Sequence, residues 1–125
     1  MFGDRCTQML GGINTEKAYI VCGYTDMRRS IDGLAAIIKQ NYDCNPYNRC
    51  LYLFCGKRSD RIKGLLWDDD GFMLLYKRLD NGRFRWPRNK SEVTALTSEQ
   101  LVWLMQGLEI EQPNAIKKYI PKDMI

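Results

Sequence analysis

Two tight-turn signals, Asp70-Gly71 and Asn81-Gly82, constrain the fold of this chain more than any other feature. They divide residues 57–87 into short apolar and aromatic runs of strand length. Asn-Gly suits a type I′ turn, which needs positive φ at both central residues and joins adjacent antiparallel strands. The stretch therefore predicts an antiparallel β-meander with strands at 61–67, 72–79 and 83–86.

Two more strands and a helix are predicted outside this stretch. Residues 18–22 form a short β-prone run, and Cys50–Cys55 reads as a strand buried on both faces. Thr97 and Gln100 have the spacing of a capping box, in which the two residues cap each other at a helix N-terminus. An apolar stripe follows at helical spacing, and Gly107 is placed to end that helix.

Another helix is predicted between the first two strands. Apolar residues recur at helical spacing over 27–38, and Thr25 or Asp26 is placed to cap the N-terminus. This assignment puts Arg28 and Arg29 in the first turn, where the helix dipole disfavours cations. A pair of arginines in an unfavourable position marks a candidate binding site, although a solvated pair explains it equally simply.

Together these elements predict an α+β fold. An antiparallel β-meander of four to five strands packs one face against two main helices, and the first strand joins the sheet. A chain of 125 residues with 45% hydrophobic content is expected to form a single domain over 1–125. Within it, 1–17 is expected to be a weakly ordered N-terminal segment and 109–125 a C-terminal tail.

The positive charge is concentrated in one part of the sequence. The formal net charge is +4, but residues 49–90 hold eleven Lys or Arg against five Asp. Strand alternation distributes these cations over both faces of the meander. We predict nucleic-acid contacts from eight residues: Arg28, Arg29, Arg61, Lys63, Lys77, Arg78, Arg83 and Arg85. An ordinary solvated sheet face, with Phe84 and Trp86 in the core, is the alternative, because charged edge strands also protect against aggregation.

Catalysis is not expected. The chain has no histidine, which excludes Ser–His and Cys–His nucleophiles, and it has no Gly-rich phosphate loop. Asp68-Asp69-Asp70 fits a turn better than a metal site, since consecutive carboxylates at a hairpin tip splay apart. We therefore predict a protein without enzymatic activity, cofactor or metal.

The cysteines and the hydropathy indicate where the protein resides. Five cysteines, without C-x-x-C spacing, are typical of free thiols in a reducing compartment. A zinc site from Cys44, Cys50 and Cys55 is the alternative, and it lacks an evident fourth ligand. We find neither a signal peptide nor an apolar run of membrane-spanning length, so a cytoplasmic protein without membrane contact is expected.

Three pieces of the sequence resemble a known family. They are GYTDMRRSIDGLAAII at 23–38, NPYNRCLYLFCGKRSDRIKGLLWDDDGFMLLYKRLDNGRFRWP at 45–87 and LTSEQLVWLMQGLEI at 96–110. In this order they closely resemble the TnpB-type accessory proteins of the IS-sixty-six family of insertion sequences, which are unrelated to the RNA-guided nucleases of the same label. The resemblance implies a bacterial protein that assists transposition alongside a separate, larger transposase, and it supplies no catalytic residues.

Two hypotheses follow for the biochemical role. The first is a DNA-binding accessory factor that holds DNA through the eight basic residues. The second is a protein-interaction module that docks on the cognate transposase without contacting DNA, using the apolar stripe of the second helix near Trp103 and Met105. Core packing is the alternative use of that stripe. The sequence leaves open the oligomeric state, the strand order and the role of residues 1–16.

Overall fold

The computed structural model describes residues 17–89 and 92–111. In these ranges five strands and two helices form an α+β fold, which confirms the predicted fold class. The elements in chain order are β1 (Lys17–Val21), α1 (Ile31–Ala36, continued by a π-helical turn at Ile37–Asn41), β2 (Cys50–Cys55), β3 (Arg61–Trp67), β4 (Phe72–Arg78), β5 (Val93–Leu96) and α2 (Ser98–Met105).

The strands form one mixed sheet in the order β4-β3-β2-β1-β5. β2, β3 and β4 form an antiparallel meander that contains the predicted strands at 61–67 and 72–79, and β5 is antiparallel to β1. β1 joins the sheet as predicted, but it runs parallel to β2. Parallel neighbours need a crossover connection, and α1 supplies it.

The two helices cover opposite faces of the sheet, so the prediction that both pack on one face is wrong. α1 packs on a cluster that includes Tyr52, Phe54 and Leu65, whereas α2 packs on a separate cluster that includes Leu51 and Leu53. Every residue of β2 is buried, as predicted from its continuous apolar run. A strand buried on both faces needs a cover on each, which explains the three-layer arrangement.

The β3–β4 hairpin is confirmed. Its register runs from Arg61 opposite Arg78 to Trp67 opposite Phe72. At the tip, the backbone N–H of Asp68 donates to the carbonyl of Gly71 at 2.8 Å, and Asp69 has a φ of +61°. Asp tolerates this left-handed conformation better than most residues, so the acidic run serves the turn.

The predicted fifth strand at 83–86 is wrong. The chain after β4 stays beside the β2–β3 connection, where the N–H groups of Leu79 and Phe84 donate to the carbonyls of Asp60 and Ser59. It then crosses one end of the sheet to β1 and pairs there as β5, at Val93–Leu96, a strand that the sequence analysis missed. The predicted alternation of faces is nevertheless confirmed: Phe84 and Trp86 are buried, and Arg83 and Arg85 are exposed.

The structure corrects one helix start and confirms the other. α1 begins at Ile31 after Ser30, several residues later than predicted. The reason is local: the carboxylate of Asp26 accepts from the N–H of Arg28, which forms a separate tight turn. Arg28 and Arg29 therefore precede the helix, and the dipole argument for them does not hold.

α2 begins with the predicted capping box. The Thr97 hydroxyl accepts from the N–H of Gln100 at 3.1 Å, and the Gln100 side chain accepts from the N–H of Thr97 at 2.9 Å. Gly107, at φ +80°, follows the helix as predicted.

The expected N-terminal segment falls almost wholly outside the described residues, and so does the C-terminal tail beyond residue 111. Lys17, placed at the end of that segment, already belongs to β1. Among the described residues, none of the helices has the length and apolar character needed to cross a membrane.

Candidate nucleic-acid interface

At one end of its strands, the sheet brings together connecting segments that are distant in sequence. β1, β2 and β4 end there, and β3 and β5 begin there, as the pairs Val21–Val93, Cys55–Ile62 and Arg61–Arg78 show. The loop before α1 lies at the same end, because the N–H of Thr25 donates to the carbonyl of Cys55 at 2.9 Å. We call this end of the sheet the basic end, since its connecting segments and strand termini carry most of the cations. They are Arg28, Arg29, Lys57, Arg58, Arg61, Lys63, Lys77, Arg78, Arg83, Arg85 and Arg88.

The eight predicted residues all lie at the basic end, but they surround it instead of sharing one flat face. Register places Arg61, Lys63 and Arg78 on the face that α1 covers. Lys77 points to the opposite face, as the alternation predicted. The remaining four residues lie in connections, with the pair at 28–29 before α1 and the pair at 83 and 85 after β4.

Two of the predicted arginines form ion pairs with neighbouring aspartates. Arg28 pairs with Asp26 at 2.9 Å, and Arg61 pairs with Asp60 at 3.0 Å. Hydrogen bonding to Arg28 lowers the pKa of Asp26 to about 2, and hydrogen bonding to Arg61 lowers the pKa of Asp60. These two arginines are partly neutralised, which weakens their attraction for a polyanion.

Lys63 and Arg29 interact through the backbone. The Lys63 ammonium donates to the carbonyl of Arg29 at 2.8 Å, which ties β3 to the loop before α1. A Cβ at Gly33 would lie 3.1 Å from the Cβ of Arg29, so the stem of Arg29 packs on the first turn of α1. This contact holds the Arg29 stem against the helix, and the side chain remains exposed.

The other predicted cations are not neutralised by an aspartate and remain available to a polyanion. None of them makes an ion pair within 4.0 Å to any residue of the described ranges, and all of them except the half-buried Lys63 are exposed. Lys57 and Arg58, in the β2–β3 connection, share this condition. The exposed cations without an ion pair are Arg29, Lys57, Arg58, Lys77, Arg78, Arg83 and Arg85.

Arg88 joins the segments of the basic end and is not among the eight predicted residues. Its guanidinium donates to the carbonyl of Gly23 at 2.6 Å, to the carbonyl of Gly56 at 2.5 Å and to the hydroxyl of Ser59 at 3.0 Å. It also lies 4.1 Å from the ring centroid of Tyr24. Arg88 thus joins the connections after β1 and β2, and no local sequence signal distinguishes it from the other basic residues.

Two exposed aromatic rings accompany these cations. Tyr24 is 63% exposed and lies beside a cleft lined in part by Lys57, Arg83 and Arg85. Tyr76 is 53% exposed and borders a smaller cleft on the α1 side. Aromatic rings among cations are typical of surfaces that bind nucleic acid bases and phosphates together.

The opposite ends of the strands, which we call the acidic end, have a different composition. Carboxylates outnumber cations there: Asp43, Asp68, Asp69, Asp70 and Glu99 accompany Lys17, Lys39 and Arg49. Asp69 forms an ion pair with Arg49 that lowers the pKa of the Asp69 carboxyl. The part of the chain that the structure describes contains no group of three His, Cys, Asp or Glu side chains placed to hold a metal.

The cysteines do not assemble into the alternative zinc site. Cys50 belongs to the cluster under α1, whereas Cys55 belongs to the cluster under α2. The two thiols therefore point to opposite faces of β2. Burial raises the pKa of Cys55, whose thiol donates to the carbonyl of Arg61 at 3.4 Å. A buried protonated thiol of this kind is a structural residue.

The apolar stripe of α2 is part of the core. Leu101 and Leu104 are fully buried, and Met105 packs against the same cluster. Leu101 and Leu104 are therefore not available to a partner, whereas Leu108, at the end of the predicted stripe, is 43% exposed. Trp103 stays partly exposed.

Comparison with known proteins identifies the family. The family described as IS66 Orf2 like protein matches residues 16–115. The chain therefore belongs to this family and is an accessory protein of an insertion sequence, as its resemblance to the IS-sixty-six proteins predicted.

Two relatives come from Sinorhizobium fredii. Uncharacterized protein y4hO is 32% identical over 105 residues, which cover 84% of this chain and 91% of y4hO. Uncharacterized protein y4jC is 29% identical over 101 residues, which cover 81% of this chain and 86% of y4jC. No solved structure matches the chain.

Proposed function

We propose that this protein is a non-catalytic transposition factor that binds DNA through the basic end. The observation that supports the proposal is that cations from several separate segments come together at the basic end. Seven of these cations are exposed and free of ion pairs to the described residues. Membership of an insertion-sequence family supports the proposal, because an insertion sequence is itself DNA, which is a polyanion.

The physical basis is the release of counterions from DNA phosphates. Lysine and arginine that neutralise phosphates displace condensed cations, so affinity falls as salt rises. Cations already paired with aspartate contribute less, because binding must first compete with the carboxylate. Arg83 and Arg85 therefore carry more of the predicted affinity than Arg28 and Arg61.

The test compares two double variants with the same change in charge. Arg83→Gln with Arg85→Gln removes two cations from the basic end, whereas Lys17→Gln with Lys39→Gln removes two from the acidic end. Fluorescence anisotropy with a labelled 20-base-pair duplex at 50 mM salt reports affinity, and the same titration at higher salt concentrations gives the salt slope. We expect the first variant to bind about tenfold more weakly and to lose about two units of salt slope, with the second close to wild type.

Equal effects of the two variants would show that net charge alone determines binding. Absence of binding by the unaltered protein at 50 mM salt would remove the proposal. Circular dichroism melting of each variant separates loss of binding from loss of fold.

Docking on the cognate transposase is a second proposal, which rests on membership of a family of insertion-sequence proteins. Leu101 and Leu104 are buried and do not serve it, so an exposed surface is required. Co-purification with the transposase that survives nuclease treatment, together with absence of DNA binding, would favour this role over the first.

A further inference from the structure

We infer that the basic end takes single-stranded DNA, with an unpaired base stacked on the ring of Tyr24. The inference rests on the proposed function and names its substrate class. It comes from the geometry around Tyr24 and from the cations that line the adjacent cleft.

The ring of Tyr24 is held in place from one side. The guanidinium of Arg88 lies 4.1 Å from its centroid, and that guanidinium is itself fixed by Gly23, Gly56 and Ser59. The ring is nevertheless 63% exposed. An exposed ring on a rigid support is a preorganised stacking surface, which lowers the entropy cost of binding a base.

The chemistry around this ring suits a nucleotide. Lys57, Arg83 and Arg85 line the cleft beside Tyr24 and supply cations for the phosphates of a bound strand, and Glu109 and Glu111 line the same cleft. Tyr76 offers a second exposed ring at the same end, next to Arg61 and Lys63. Aromatic rings interleaved with cations bind single strands without sequence preference, because every base has a stacking face.

The aromatic residues of the acidic end differ in a way that sharpens the inference. Tyr47 packs against Trp67 and Phe72, with ring centroids 5.1 and 5.4 Å away. That packing accounts for Tyr47 as part of a surface cluster. Tyr24 contacts no other aromatic ring among residues 17–89 and 92–111, so its exposure has no such explanation.

Single strands are favoured over duplex by the same geometry. Paired bases are stacked on each other and cannot stack on a protein ring without being extruded, which costs unpairing energy. Both described helices pack on the sheet faces, and neither is presented as a groove-reading element. A duplex would therefore contact the cations but not the ring of Tyr24.

The experiment measures the affinity of the full chain for a labelled 20-nucleotide single strand and for a duplex of the same length, at 50 mM salt. We expect the single strand to bind about tenfold more tightly than the duplex. Tyr24→Leu removes the stacking face and should weaken single-strand binding about tenfold, with little effect on the duplex. Tyr24→Phe keeps the face and should bind within about twofold of the unaltered protein.

Tyr47→Leu is the matched control, since it removes an exposed tyrosine from the acidic end and should leave both affinities unchanged. Equal affinity for the two DNAs, with no effect of Tyr24→Leu, overturns the single-strand inference and leaves DNA binding by the basic end standing. Failure to bind either DNA overturns both.

A second measurement on the unaltered protein covers the case in which Tyr24→Leu does not fold. A single strand containing bromodeoxyuridine is crosslinked by ultraviolet light, and the attached residue is identified by mass spectrometry. A crosslink at Tyr24 supports the inference, and crosslinks confined to other residues contradict it.

Discussion

The two ends of the sheet are held together by different kinds of contact. At the acidic end the bonds are mostly local: Asp68 bonds to Gly71 across a hairpin tip and Thr97 bonds to Gln100 in a capping box, with the Arg49–Asp69 ion pair as a longer-range exception. At the basic end they join distant segments. Arg88 reaches Gly23, and the indole of Trp86 donates to the carbonyl of Val21 at 2.9 Å.

The difference has a consequence for charge. At the acidic end, the main turn uses its own aspartates for geometry, and Asp69 is paired with Arg49. At the basic end, the organising contacts use backbone carbonyls and only one arginine, Arg88. Most of the other cations there are free of ion pairs to the described residues, and they are available to a polyanionic partner.

The largest expected effect concerns the segment that crosses the basic end. Phe84 is 2% exposed and packs in the cluster under α2, so Phe84→Ala should destabilise the protein by about 3–5 kcal/mol. Phe72, at the acidic end, is only partly buried and should cost about 2 kcal/mol or less when changed to alanine. Urea denaturation measures both, and equal losses would contradict the central structural role of the crossing segment.

The next largest effect on stability concerns one arginine at each end, Arg88 at the basic end and Arg49 at the acidic end. Arg88→Met removes hydrogen bonds to Gly23, Gly56 and Ser59 and should lower the free energy of unfolding by about 2 kcal/mol. Arg49→Met removes a solvent-exposed ion pair and should cost less than about 1 kcal/mol. Thermal melts of the two variants test this order, and a greater loss from Arg49→Met would reverse the comparison.

The smallest effect concerns Asp26, whose pKa falls from 3.8 to about 2 chiefly because Arg28 donates hydrogen bonds to its carboxylate. A carboxyl whose pKa is lower in the folded state stabilises the fold at pH values above its pKa in the unfolded chain. This contribution is lost as the pH falls through the folded-state pKa. The contribution should therefore be complete above about pH 4 and disappear toward pH 2. An NMR titration should find the midpoint of Asp26 near 2, returning toward 3.8 in Arg28→Gln; an unchanged midpoint would refute the pairing.

The features that the sequence predicted correctly are those governed by neighbouring residues. The capping box at Thr97, the turn at 68–71 and the alternation of Phe84 and Trp86 each depend on contacts within a few positions. The family was also predicted, because its motifs are continuous in sequence.

Apart from the start of α1, which a local turn at Asp26 displaces, the incorrect predictions depend on contacts between distant segments. The Asn81-Gly82 signal predicted a hairpin, but burial of Phe84 and Trp86 under α2 and bonding to Ser59 directed the chain across the sheet. β5 was missed because a four-residue edge strand carries little periodicity. The gathering of the cations at one end depends on strand order, which no local pattern specifies.

The most direct test of DNA binding by the basic end is an NMR titration of the ¹⁵N-labelled protein with DNA. We predict amide shift changes at Tyr24, Lys57, Gly82 and Arg85, and none at the hairpin tip around Asp69. Shifts confined to the acidic end, or no shifts at saturating DNA and low salt, would contradict the account.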